Sequence, residues 1–88
     1  MIRRRVVVRG HVQGVFFRDT VRRMAASRGV AGSVQNRGDG AVEAVFEGSR
    51  ADVDALVDFC RSGPSRAEVR DVDVSEEEPT GLDGFRVR

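Results

Sequence analysis

Apolar positions along the chain switch between two periods, and the switches mark out its elements. Val6-Val7-Val8 is a run of β-branched residues, which predicts a strand over Val6 to Arg9 covered on both faces. From Phe17 onward the spacing becomes three and four. Phe17, Val21, Met24 and Ala25 form one stripe with Arg28 at its rim, predicting a helix from Phe17 or Arg18 to Arg28 that stops at Gly29. Val30–Asn36 and Ala41–Glu47 then flank Arg37-Gly38-Asp39-Gly40. Asp39-Gly40 favours positive φ angles, so these stretches read as an antiparallel hairpin. A second helix starts from a Ser49 cap, with Asp52 at the capping-box position and Val53, Leu56, Val57 and Cys60 on one face. Gly63-Pro64 ends it. Around Ala67–Val74 the apolar positions change parity between Val69 and Val72, which predicts a strand with a bulge or a register break. Phe85-Arg86-Val87 reads as a short edge strand.

The order β-α-β-β-α-β is that of the ferredoxin-like sandwich. An α+β fold is therefore expected, an antiparallel sheet with two helices on one face. The 88 residues suffice for one domain, residues 1–88, with one small core. That architecture hosts many activities, so function has to be argued from a site.

Composition narrows the setting. The lone cysteine, Cys60, has no partner for an internal disulfide and falls on the apolar face of a helix, which suits a buried or half-buried thiol in a reducing compartment. After Met1 and Ile2 come three arginines and then only three valines, too short an apolar run for a signal-peptide core or a membrane span, so a cytoplasmic location is expected. Charge is unevenly spread: residues 1–28 hold eight arginines and one acid, and the rest of the chain is net acidic. A basic end would concentrate anionic ligands. Glu76-Glu77-Glu78, ahead of Pro79, reads as a solvated loop. No His, Cys, Asp or Glu cluster has metal-ligand spacing, and no Ser-His or Cys-His arrangement stands out.

Gly10 to Arg18, Gly-His-Val-Gln-Gly-Val-Phe-Phe-Arg, joins the first strand to the first helix. Two glycines let backbone pass close to a ligand, amides in such a loop and at a helix N-terminus attract an anion, and the Arg18 guanidinium can take two oxygens of a phosphate at once. Asn36, just before the hairpin turn, has two readings: an amide that stabilises the turn, or a neutral group that orients water without repelling phosphate. His11, the only histidine, lies inside the loop with no obvious partner and reads as solvent-facing.

Gly10–Arg18 resembles the first acylphosphatase signature, Gly-x-Val-Gln-Gly-Val-x-Phe-Arg, and Gly32–Gly40 resembles the second, Gly-x-Val-x-Asn-x-x-x-Gly. The likeness extends to Val42–Gly48 and the C-terminal Phe-x-Val. It implies hydrolysis of the carboxyl-phosphate bond of small acyl phosphates, with inorganic phosphate as product and neither metal nor cofactor. By the same resemblance the phosphate falls to the loop, Gly10, His11, Val12, Gln13, Gly14, Val15 and Phe16, together with Arg18, and Asn36 positions the attacking water. A monomer without nucleic-acid or membrane partners is expected. Two departures stand out. Ser33 replaces a bulky aromatic, which predicts a less packed face near the hairpin, and Asp19-Thr20 follow Arg18 where apolar or aromatic residues are frequent, altering the mouth of the site. The rival readings are an RNA-recognition domain of the same element order, which would need aromatics on its central strands, and a non-catalytic anion sensor or a relative of the acylphosphatase-like domains of hydrogenase maturation proteins.

Overall fold

A computed structural model describes all 88 residues. The first strand, β1, runs Ile2–His11, with Val6 and Val8 fully buried beneath the helices. Helix α1 (Phe17–Arg28) buries Phe17, Val21 and Ala25 at four-residue steps and ends at Gly29, where Val30 N–H closes back on Ala25 O at 2.9 Å. Strands β2 (Ala31–Asn36) and β3 (Val42–Gly48) form the expected hairpin. Helix α2 (Arg50–Ser62) begins at Ser49, whose Oγ accepts from Asp52 N–H at 3.3 Å and donates to Asp52 Oδ2 at 2.9 Å. It buries Val53, Leu56, Val57 and Cys60. Burial pushes the Cys60 thiol up to about 12, so it stays protonated and inert at neutral pH. Strands β4 (Glu68–Glu77) and β5 (Phe85–Val87) complete the sheet.

The strand order is β4-β1-β3-β2-β5, and both helices pack on one face. The sheet is mixed rather than wholly antiparallel, because β5 runs parallel to β2. The reason is the connection. Chain leaving β4 at one edge crosses the open face of the sheet through residues 78–84 and reaches the opposite edge already aligned with β2. Glu47 of β3 anchors this strap: its carboxylate, 1% exposed, accepts from Thr80 N–H at 2.8 Å and Leu82 N–H at 2.7 Å. Those backbone donors, Thr80 foremost, hold the Glu47 carboxyl below the ordinary carboxylate range against the opposing effect of burial.

Three readings of the sequence need correction. β1 starts four residues before Val6, and helices cover only one of its faces. On the other face Arg3, Arg5 and Arg9 stand in ion pairs: Arg3 with Glu77 at 2.8 Å, Arg5 with Glu77 at 2.6 Å and with Glu43, Arg9 with Asp73 at 2.7 Å. Glu76 and Glu77 are accordingly strand residues, not loop, and their partners lie on β1. The expected bulge is present. Arg9 faces Asp71 and Gly10 faces Val69, leaving Arg70 unopposed.

Candidate functional site

The loop between β1 and α1 is built by alternating inward and outward residues. Val12 and Val15 are buried and pin the loop to the core, so their side chains reach no ligand. Gly10 belongs to the bulge. With φ at 135° and a position for Cβ only 2.1 Å from Glu68 O, it must lack a side chain for β4 to pair. Gly10 and exposed His11 line a shallow hollow with Glu68 and Arg70, separate from the cavity described next. Gly14 turns the loop at φ 73°. Phe16, the residue before α1, is also left-handed at φ 62°, the one non-glycine in the chain with positive φ. A bulky side chain there costs roughly 1–2 kcal/mol.

Gly14, Phe16, Arg18 and Asn36 meet around one surface cavity of about 480 Å3, which Asp19, Arg22 and Val87 complete. The backbone amides from Val12 to Asp19 make no well-formed hydrogen bond to any protein acceptor, leaving a curved row of donors at the start of α1. The Asn36 carboxamide is exposed and has no hydrogen-bond partner in the protein. Turn stabilisation falls instead to Asp39, whose carboxylate accepts from Ala41 N–H at 3.1 Å, a bond that holds Asp39 below its ordinary range.

Arg18 is singled out by its surroundings. Of the eight arginines in residues 1–28, seven are ion-paired: Arg3, Arg4, Arg5 and Arg9 with acids of β3 and β4, Arg22 and Arg23 with Asp19, and Arg28 with Asp52. Arg18 alone pairs with no Asp or Glu side chain. Its guanidinium donates to Arg88 O at 3.1 Å, which fixes its direction. Of these eight arginines it is the one without an acidic side-chain partner, and it stands at the cavity.

Three features of the site were not legible as such. Gln13, whose backbone amide stays in the row of donors, spends its side-chain amide on two carbonyls of the hairpin, Arg37 O at 2.8 Å and Ala41 O at 3.0 Å. It struts the loop against the turn beside Asn36. Val87 and the Arg88 carbonyl bring β5 into the site; the terminal Phe-x-Val pattern was the available signal. Asp19 is shared at the mouth by Arg22, at 3.0 Å, and Arg23, at 3.1 Å; i,i+3 and i,i+4 spacing was the available signal.

A larger hollow, about 560 Å3, lies on the opposite, open face, where Ser33 and Gln35 stand beside Glu43, Arg5 and Arg86. It is the loosely packed face expected from Ser33, and Arg5 and Glu43 within it already neutralise each other. The open face carries no aromatic ring for stacking bases: Phe46 stacks on Phe85 at the core, and Phe17 packs on Phe59. No three His, Cys, Asp or Glu side chains converge to hold a metal ion, and no helix is long and apolar enough to cross a membrane.

Comparison with known proteins bears on the family and the fold. The acylphosphatase family model matches residues 4–87. An acylphosphatase of Haloarcula marismortui is 56% identical over 98% of this chain and 94% of its own length, and one of Haloquadratum walsbyi is 52% identical over 98% and 92%. The crystal structure of acylphosphatase from Bacillus subtilis superposes with a TM-score of 0.94 at 36% identity, covering 100% of this chain and 99% of that one.

Proposed function

Because this chain belongs to the acylphosphatase family and is an enzyme that hydrolyses acyl phosphates, we propose that it works by clamping the phosphoryl group and steering water, with no metal or cofactor. The loop amides and Arg18 take the phosphate oxygens, two of them in the plane of the guanidinium. Asn36 holds a water in line with the carboxylate oxygen that leaves. Water oxygen bonds to phosphorus, the phosphorus–carboxylate bond breaks, and a phosphate oxygen accepts the water's proton; the products are the carboxylate and inorganic phosphate. An acyl phosphate already carries a good leaving group, so positioning and charge neutralisation suffice, and the scheme asks for no general base.

The observation that carries this reading is the setting of Arg18: one guanidinium without an acidic side-chain partner beside a row of free amides and a free carboxamide. All of these groups come from one chain, so the scheme requires no second copy and suits a monomer. The buried reduced Cys60 suits the cytoplasm. Asn36→Ala tests the division of labour. A loss of about 2–4 kcal/mol from the barrier, roughly 30- to 1000-fold in kcat, is expected with competitive inhibition by phosphate retained. Loss of phosphate affinity in that variant, or of wild-type activity under EDTA, contradicts the scheme.

A further inference from the structure

Phe16 is the most exposed aromatic in the chain, 71% accessible, while the other four phenylalanines are buried or half-buried in the core. It also holds the left-handed backbone conformation that L-residues avoid, and its ring joins neither aromatic pair. An exposed ring on a strained backbone stabilises nothing in the fold. Two bonds nevertheless hold it in place: Phe16 O accepts from Thr20 Oγ1 at 2.8 Å and from Thr20 N–H at 3.1 Å, which fixes where its ring leaves the loop. Phe16 lines the cavity shared by Arg18 and Asn36, with Val87, itself 42% exposed, as the other apolar residue of its wall.

We propose that Phe16 and Val87 form the seat of the acyl group and select acyl phosphates whose acyl part is flat or apolar. The inference rests on the phosphate position proposed above. With the phosphoryl group taken by the amides and Arg18, the acyl part must project over the remaining walls of the cavity. Those walls are a phenyl ring, a valine, and a rim where Arg22 is already paired with Asp19. The one acid of the rim, Asp19, is shared by Arg22 and Arg23, so the walls that discriminate are the two apolar ones, which an aromatic or branched acyl group covers on both sides.

The test compares benzoyl, acetyl and succinyl phosphates with wild-type protein, Phe16→Asn, Phe16→Gly and Val87→Ser. Asn and Gly accept the left-handed conformation, so the Phe16 variants keep the loop path. Wild-type kcat/KM is expected to be highest for benzoyl phosphate. The benzoyl-to-acetyl ratio should drop about tenfold in both Phe16 variants and several-fold in Val87→Ser, mainly through KM for benzoyl phosphate. An unchanged ratio, even with lower activity on every substrate, overturns the acyl seat, as does a preference for succinyl phosphate. Failure of wild-type protein to release phosphate from any of the three refutes the underlying hydrolase scheme instead.

Discussion

Replacing Gln13 with alanine removes the strut between the loop and the hairpin. Two bonds are lost, 2.8 Å to Arg37 O and 3.0 Å to Ala41 O. At a net 0.5–1.5 kcal/mol each, the cost is about 2 kcal/mol, with a range of about 1–3. For a domain of this size each kcal/mol moves Tm by roughly 4–8 °C, so a fall of about 8–16 °C is expected. The chain has no Trp or Tyr, which makes far-UV circular dichroism the suitable probe of unfolding. Function should suffer separately, well below the melting range. Gln13 sets the distance between the amide row and Asn36, and a displacement of about 1 Å between a bound group and its reacting partner costs up to about a hundredfold in kcat. Gln13→Glu should be at least as harmful, since a carboxylate would face two carbonyl oxygens. A Tm within about 2 °C of wild type shows that the loop supports itself. A lower Tm with unchanged kcat shows that the strut stabilises the fold without aligning the site.

Arg18→Lys keeps a positive charge but loses the planar fork and the bond to Arg88 O, so KM and the inhibition constant for phosphate should both rise at least tenfold while kcat falls; near-normal values for all three remove Arg18 from the site. Glu47→Gln should cost about 2 kcal/mol in urea unfolding at pH 7, because a neutral amide replaces a carboxylate that accepts two backbone bonds. The folded-state pKa of Glu47 lies below its ordinary 4.5, so its contribution is present above that value and disappears as pH falls through the lowered one. The Gln variant should therefore lose less stability than wild type on acidification below about pH 4.5, and parallel acid limbs would contradict the assignment.

Both helices, the hairpin and the bulge were legible because each is written in local spacing. Phe17, Val21 and Ala25 declare a helix without reference to anything outside it, and Asp39-Gly40 declares its turn. The first four residues of β1 were not legible, since Arg3, Arg4 and Arg5 become strand residues only through acids more than 70 positions away on β4. For the same reason Glu77 looked like loop, and the basic N-terminal third looked like an anion-attracting surface until its partners were in place. At the site, the residue types were readable but several duties were not. Gly10 serves the β4 pairing, Gln13 joins the loop to the hairpin, and Phe16 is set apart by a backbone angle that no spacing rule encodes.

The pairing of β1 bears on how the active centre comes into being. This strand bonds to β3 and β4 and never to its sequence neighbour β2, with Arg3 opposite Glu77 across 74 positions. A topology rich in contacts so remote folds slowly. Arg18 and Asn36 are 18 positions apart, yet the scaffold that aligns them spans almost the entire polypeptide. The alignment of these two side chains therefore depends on pairings made across nearly the whole chain, and a break in the β1–β4 seam far from the cavity reaches the active centre.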